Sequence, residues 1–471
     1  MEDIKILSDL FTKHFGIAPA EVRPIAQAGG DRRYFRLVAP DGSFSAIGTS
    51  GDDISDCCAF LALQSVLKSH GIPVPEIYVK SRNYMHYLQQ DLGDVSLFSI
   101  LGNDHDCSDV VKRTLSNLVR MQLIPEDDFE NAVQYGPFGK RLVMWDLNYF
   151  KYEFLKPSGV QFDEFCLEDD FELLAKDLVG VDWSQWGFMM RDCQSRNVMV
   201  CDDTPYFIDF QGGRLGPSVY DAVSFLWQAK APFSEEFRME MFRYYAEEYA
   251  AQRGCDPEEL MKNLPMFRLF RTLQVLGAYG FRGLVQRRAH FLESISPALR
   301  NLASVIDSDI MERYPDLGEV CLELAADRRF DSPSKDSGLT VTVFSFSYKR
   351  GYPDDFSGNG GGFMFDCRGM HNPGRYDRFK PLTGMDAPVI EFLKGRGEAD
   401  RFVKKAVDMV IPSVECYLRR GFNSLQIGFG CTGGRHRSVY CAERAAAEIK
   451  RRFPEARVVI VHREQGIRKE L

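Results

Sequence analysis

Two neighbouring stretches decide how this chain is read. The first is Met190-Arg191-Asp192-Cys193-Gln194-Ser195-Arg196-Asn197, which runs into the apolar Val198-Met199-Val200. The second is Tyr206-Phe207-Ile208-Asp209-Phe210-Gln211-Gly212-Gly213. The Asp-x₄-Asn spacing of the first sets a carboxylate and a carboxamide on one tight loop, both able to face a common site. The second places an aspartate at the end of a short strand. Together they supply one carboxylate able to accept a proton and further oxygen donors of the hard kind that Mg²⁺ prefers. Any one of these residues also suits a turn or a strand end. Their shared order and spacing, about a dozen residues apart, give the set its weight.

The two segments resemble the H-R-D-x₄-N and D-F-G signatures of the protein-kinase fold. Gln211 stands where the glycine would be, and Met190 replaces the histidine that normally organises the loop. Upstream, Ala28-Gly29-Gly30-Asp31-Arg32-Arg33-Tyr34-Phe35-Arg36 occupies the position of the glycine-rich hairpin over the phosphates. Two glycines suit any hairpin, so position is the argument here. The strand Phe44–Thr49 has no lysine where such kinases place one on the phosphates, and the following helix offers no clear glutamate to pair with it. Arg33 or Arg36 is the candidate replacement. The missing lysine also keeps open a non-catalytic, pseudokinase-type metabolite sensor or adapter.

The surrounding periodicity agrees with two lobes. Residues 20–50 alternate around turns like a small antiparallel sheet, a helix is expected over about 54–70, and two strand-like runs lie near 76–89. Gln90-Asp91-Leu92-Gly93 is a polar break between lobes. Helical periodicity dominates 106–180, short strands and loops 187–217, and long amphipathic helices 219–330. The stretch 328–338 has the Ser/Pro/Asp/Gly composition of a linker. The expected architecture is an α+β bilobal protein-kinase-like fold followed by a smaller α/β domain: an N-lobe over 1–90, a mainly helical C-lobe over 91–327, the linker, and an α/β domain over 339–471.

Over residues ~1–325 the chain resembles the aminoglycoside-phosphotransferase-like kinases, and among them the anomeric sugar kinases acting on N-acetylmuramate and N-acetylglucosamine. The carrying residues are Gly29 through Arg36, Gln90-Asp91-Leu92-Gly93-Asp94, Arg191-Asp192 through Asn197, Ile208 through Pro217, and Tyr220-Asp221. The resemblance implies ATP and Mg²⁺ as cofactors. It implies Asp192 as base, Asn197 and Asp209 on the metal, Gly29, Gly30, Asp31 and Arg32 over the nucleotide, and Gln90 and Asp91 beside its adenine. Arg191 and Asp221 would steady the catalytic loop. Sugar identity rests on this resemblance alone. Trp145, Tyr149 and Glu153 share one helix face, which suits either a sugar ring or a packed core.

The second concentrated signal is Gly428-Phe429-Gly430-Cys431-Thr432-Gly433-Gly434-Arg435-His436-Arg437-Ser438, between a strand and a helix. Glycines let successive N–H groups converge, and the helix start adds positive potential. Cys431, Thr432, Gly433, Gly434, Arg435, His436, Arg437 and Ser438 thus read as a cradle for a phosphate or phosphosugar. The Cys-x₅-Arg spacing also equals that of cysteine phosphatases, so phosphatase chemistry at Cys431 is a further alternative. Residues ~339–468 resemble the C-terminal domain of the RapZ family through five ordered blocks: Ser345–Gly351, Asp366–Pro373, Leu382–Asp386, Cys431–Ser438 and His462-Arg463. That resemblance implies a site for a phosphorylated amino sugar or nucleotide sugar. Arg368, His371 and Asn372 are candidates to lie near it. No GxxxxGK[ST] occurs, so the family's ATP-binding half is absent, and RNA binding, seen in some members, is not expected to carry over.

Bulk properties agree. The 471 residues are 45% hydrophobic and 27% charged, with 36 Phe and 19 Tyr for cores and a net charge of −9 that argues against nonspecific coating of nucleic acid. No run approaches the ~18 apolar residues of a membrane span, and the amino-terminal stretch lacks the order of a secretory signal. Twelve scattered cysteines with no CxxC pair suit reduced thiols in a cytoplasm.

Overall fold

The computed structural model describes residues 2–25, 32–101, 107–130, 132–286, 288–327, 330, 338–353, 355 and 362–471, apart from the side chain of residue 289. Two compact units emerge, Met1–Ala278 with Pro297–Ala326, and Tyr279–Ser296 with Asp327–Leu471. No described helix is long and apolar enough to cross a membrane.

The first unit has the two lobes the sequence anticipates. Its N-lobe sheet contains β1 (Glu21–Ile25), β2 (Arg33–Val38), β3 (Ser45–Ser50), β4 (Ile77–Lys80) and β5 (His86–Gln90), in the spatial order β1-β2-β3-β5-β4. Every neighbouring pair is antiparallel. The helix Glu2–Phe15 packs Leu7 and Phe11 onto this sheet with Phe35, Leu37, Ala46 and Leu88. Burying each such side chain contributes ~1.5–3 kcal/mol. Between β3 and β4 runs the helix Ile54–Ser69, capped by Asp53, whose carboxylate accepts the N–H of Ser55 at 2.7 Å. The connection after β5 is clamped from the sheet. Arg36 of β2 reaches Asp91 (2.6 Å) and Asp94 (2.8 Å), while Ser45 donates to Asp91 at 2.6 Å.

Among the described residues the C-lobe is helical except for short 3₁₀ and π turns and two two-stranded sheets that carry the signature segments. β6 (Trp186–Met189) pairs with β9 (Arg214–Pro217), and β7 (Val198–Cys201) pairs with β8 (Thr204–Phe207), both antiparallel. The Asp192–Asn197 loop therefore leaves β6 and enters β7, and the Asp209 segment joins β8 to β9. Both loops come to one end of these two sheets. Beneath them the helices Ser108–Gln122, Glu235–Arg253 and Pro257–Tyr279 supply a core rich in aromatic rings, including Tyr245, Tyr249, Phe267 and Phe270.

The second unit is α/β. Its sheet contains β10 (Thr340–Ser347), β11 (Gly362–Asp366), β12 (Ser424–Cys431), β13 (Arg457–His462) and β14 (Ile467–Glu470), in the order β11-β12-β10-β13-β14. β10 runs parallel to both neighbours, and only β14 is antiparallel. The helices Glu398–Arg420 and Arg437–Arg452 cover it, burying Val403, Val407, Val410 and Ala445 among others. The carboxyl ends of β10, β12 and β13 lie together, and in open α/β sheets such ends are where ligands bind.

Candidate functional site

In the first unit, three groups meet. The Asn197 amide nitrogen lies 2.9 Å from the Asp192 carbonyl oxygen, 3.4 Å from Asp192 Oδ2 and 3.5 Å from Asp209 Oδ2. The carboxamide thus bridges the two carboxylates. Two backbone positions in this arrangement, Arg191 (φ 72°) and Asp209 (φ 63°), occupy the left-handed region, which non-glycine residues adopt at a cost and which recurs at functional sites.

The strain at Arg191 is held from below. The buried Asp221 carboxylate accepts the N–H of Met190 at 2.6 Å and of Arg191 at 3.0 Å. Burial pushes that carboxyl up to about 7, against the lowering effect of those two N–H groups. Arg191 Nη2 donates to both carboxylate oxygens of Asp146, at 2.8 and 3.0 Å. Met190, where the signature has histidine, is 1% exposed. Its side chain fills the core while its amide provides the anchor, so the loop keeps its geometry without the imidazole.

Asp192 itself accepts from Gln194 (2.8 Å) and faces Arg271 at 3.3 Å. Gln228 holds the rest of the loop through Ser195. At the second segment, Gln211 donates to Asp209 Oδ1 at 2.8 Å, and Phe210 stacks on Phe60 of the helix Ile54–Ser69, ring centroids 4.8 Å apart. Burial raises the Asp209 carboxyl above the usual carboxylate range, only partly countered by the Gln211 N–H. A buried carboxyl in that state gains from a nearby cation. Asp209 and Asn197 both offer hard oxygen donors, and Mg²⁺ commonly takes only one or two protein ligands beside phosphate oxygens and water. The donor set therefore fits Mg²⁺. It does not fit a fully protein-enclosed metal, since no group of three or more His, Cys, Asp or Glu suited to an ion occurs among the described residues.

A buried cation stands just before β2. Arg32, 8% exposed, pairs with Asp56 of the helix Ile54–Ser69 at 2.5 Å and with its carbonyl oxygen at 3.0 Å. It also reaches Gln211 Oε1 at 3.4 Å, with its guanidinium over the Phe60 ring. One arginine thus ties the hairpin, the helix and the Asp209 segment together. Arg33 and Arg36 are placed otherwise: Arg33 pairs with Asp3 and Asp52, and Arg36 with Asp91 and Asp94. Gly29, Gly30 and Asp31 lie outside the described residues. Gln90 exchanges hydrogen bonds with Glu76, and the Asp91 carboxylate is engaged by Arg36, Ser45 and the Gly93 N–H. Trp145 is 69% exposed, so the core reading fails for that ring.

In the second unit, the loop after β12 turns at Gly434 (φ 64°), where a Cβ would come within 2.9 Å of the Ser347 N. The three basic side chains that follow point to backbone carbonyls. Arg435 donates to Leu382 and Pro381, the His436 ring to Phe379 at 2.9 Å, and Arg437 to both Arg368 and Met370 at 2.9 Å. They staple the segment 368–382 to the loop. The N–H groups of Gly433 and Gly434 have no hydrogen-bond partner among the described residues. Cys431 Sγ lies 3.1 Å from Ser438 Oγ. Arg437 meets those two carbonyls through Nη1, while its Nε is buried without a hydrogen-bond partner. Arg368 pairs with Asp366 and stacks over Tyr348, the His371 N–H donates to Glu398, and the Asn372 side chain accepts from Gly374.

Residues 21–255 match the family model described as the phosphotransferase enzyme family, and residues 339–466 match that of the RapZ C-terminal domain. The chain joins a phosphotransferase domain to a RapZ C-terminal domain. Among curated relatives, a nucleotide-binding protein of Dechloromonas aromatica is 35% identical over 187 residues, 38% of this chain and 63% of that protein. Another, from Geobacillus kaustophilus, is 35% identical over 144 residues, 31% of this chain and 45% of that protein. The chain thus spans about half the length of such relatives. Among solved structures, choline kinase from Cryptosporidium parvum aligns with a TM-score of 0.47 at 13% identity, over 68% of this chain and all of that one (100%). Ethanolamine kinase from Plasmodium vivax aligns with a TM-score of 0.46 at 13% identity, over 62% of this chain and 84% of that one.

Within the phosphotransferase domain, sequence reasoning missed four polar residues around the loops: Asp56, Asp146, Gln228 and Arg271. Asp56 carried a usable signal, an acid one turn into the helix after β3. Asp146 and Arg271 come from helices distant in sequence and Gln228 from the segment after the helix Val219–Leu226, and nothing local marks them.

Proposed function

We propose that the phosphotransferase domain transfers the γ-phosphoryl group of ATP to a hydroxyl of a sugar, of which an amino sugar such as N-acetylglucosamine or N-acetylmuramate is the leading candidate. The observation that carries this reading is the bridge from Asn197 to both Asp192 and Asp209, within 3.5 Å of each. Asp192 is oriented by Gln194 and Arg271 so that a carboxylate oxygen can take the proton of the attacking hydroxyl. Asn197 and Asp209 would hold Mg²⁺, which when bound neutralises charge on the phosphates. Arg32 is the phosphate cation in place of the absent lysine, with Asp56 holding it as the acidic helix partner does in protein kinases. Asp221 and Asp146 keep the loop in its strained form. This complete set favours an enzyme over a pseudokinase sensor.

The RapZ C-terminal domain, on this reading, binds a phosphorylated amino sugar or nucleotide sugar through the amides of Gly433 and Gly434. Calorimetric titration with the two ligand types tests that part. For the kinase, Mg-ATP turnover against a panel of free sugars is the direct measurement. Replacing Asp192 by Asn should lower kcat by ~10²–10⁴-fold if it is the general base. Equal turnover by the two proteins would remove the mechanism.

A further inference from the structure

We infer that the alcohol accepted at Asp192 carries an anionic group, a carboxylate or a phosphate, and that Arg214 and Arg191 hold it. This deepens the kinase reading and rests on it for the location of the acceptor.

A continuous polar chain leads away from the base. Asp192 faces Arg271 (3.3 Å), Arg271 donates to Gln274 (2.9 Å), Gln274 donates to Asp146 (3.1 Å), and Asp146 pairs with Arg191. Arg271 and Arg191 each have a carboxylate. Arg214 does not: among the described residues, no carboxylate lies within ion-pair distance of it. It starts β9 opposite Met189, the residue two before Arg191, and its guanidinium lies over the Tyr135 ring, 5.0 Å from the centroid.

Two N–H groups of this cluster, Arg214 Nε and Arg191 Nη1, are buried without a hydrogen-bond partner. Buried donors left unanswered are costly and rare enough to ask for a reason. Guanidinium edges are suited to the two-pronged recognition of a carboxylate or phosphate. The two side chains feel each other, since burial first and the neighbouring Arg191 second make Arg214 easier to deprotonate. An anion placed between them relieves both penalties. Tyr135 is 47% exposed and Arg214 itself is half-buried, although the two unanswered N–H groups are closed to solvent. The same charges repel an alcohol bearing a protonated amine.

The test uses the full chain with Mg-ATP and four acceptors: N-acetylglucosamine (neutral), N-acetylmuramate (carboxylate), N-acetylglucosamine 6-phosphate (phosphate) and glucosamine (cationic). One of the two anionic sugars should exceed the neutral one in kcat/KM by about tenfold or more, with glucosamine lowest. Which anionic sugar leads decides between carboxylate and phosphate. Replacing Arg214 by Gln should cut the anionic-to-neutral ratio at least about tenfold, chiefly through KM, and Arg214→Lys should restore part of it. A preference for the neutral or cationic sugar would overturn the inference. So would an unchanged ratio in a folded R214Q protein, or an equal fall in kcat for every acceptor, which would put Arg214 on the transferred phosphoryl group instead. Calorimetric binding of the same sugars separates the two readings. Arg214-dependent binding of an anionic sugar with no phosphoryl transfer sinks the kinase and keeps the anion site. Transfer to neutral sugars alone does the reverse.

Discussion

On the proposed function, Arg32 is the residue on which catalysis would turn, because it would do what a strand lysine does in protein kinases. Replacing it by Met removes the 2.5 Å pair with Asp56 and the longer contact with Gln211. Two costs follow, and they differ in size. Asp56 keeps 33% of its side chain in water, so the stranded carboxylate is largely solvated and the stability loss belongs near the surface end of the range, ~1–2 kcal/mol. The loss in rate should be larger. A preorganised donor aimed at charge in a partly water-excluded site is worth ~2.7–4 kcal/mol, or about 10²–10³ in kcat. The Asp56→Asn variant separates the two effects: it gives up the same pair but leaves the guanidinium in place, so it should retain far more activity than R32M at similar stability. Steady-state kinetics with varied Mg-ATP, alongside thermal melts of both variants, read the two quantities independently. A folded R32M protein with kcat and ATP KM within about threefold of the parent would refute the assignment.

Other consequences follow from the same geometry. Asn197→Ala should raise the Mg²⁺ concentration needed for half-maximal turnover, since one of two oxygen donors is lost; an unchanged requirement would remove Asn197 from the metal. The Asp221 carboxyl, pushed from 3.8 up to about 7 by burial, binds its proton more readily folded than unfolded. Its contribution to stability is therefore fully present below pH ~4 and lost as pH rises through 7, about 4 kcal/mol in all. The stability advantage of the parent over Asp221→Asn should shrink across that window, as followed by melting temperature, and a constant difference would contradict the shift. In the RapZ C-terminal domain, Arg437→Gln leaves the carbonyls of Arg368 and Met370 without their donor. It should cost ~1–3 kcal/mol, seen as a lower melting temperature for that domain.

Much of this was legible because it is local. The Asp192–Asn197 and Asp209 segments announce themselves through spacing, and the expected helix over 54–70 is present as Ile54–Ser69. Hydrophobic periodicity also marked the antiparallel N-lobe sheet and the α/β character of residues 339–471. The parts that were not legible are the long-range polar contacts. Nothing near Arg271 indicates that it faces a carboxylate 79 residues earlier, nor does anything near Asp146 mark it as the partner of Arg191. The basic run Arg435-His436-Arg437 reads as a set of anion donors, whereas each side chain instead ties down a carbonyl of the segment 368–382. A cation beside glycines satisfies either demand, and only the fold distinguishes them.

A motif records where a charge usually sits in the chain, but phosphoryl transfer constrains where it sits in space. β2 and β3 are adjacent and antiparallel, with Arg33 paired to Ser50. A long side chain at the entry of β2 can therefore reach the region that a shorter reach from β3 would serve. Arg32 does so, and the acid opposing it moves accordingly to Asp56, in the first turn of the helix. On the proposed function, the two departures from the kinase pattern, no lysine on β3 and no clear glutamate in the helix, would be one compensated substitution. A prediction separates this from coincidence. In an R32M background, a lysine introduced at Thr49 should recover part of the lost rate if the cation's position in space is what matters, and none of it if the chain position of Arg32 is essential.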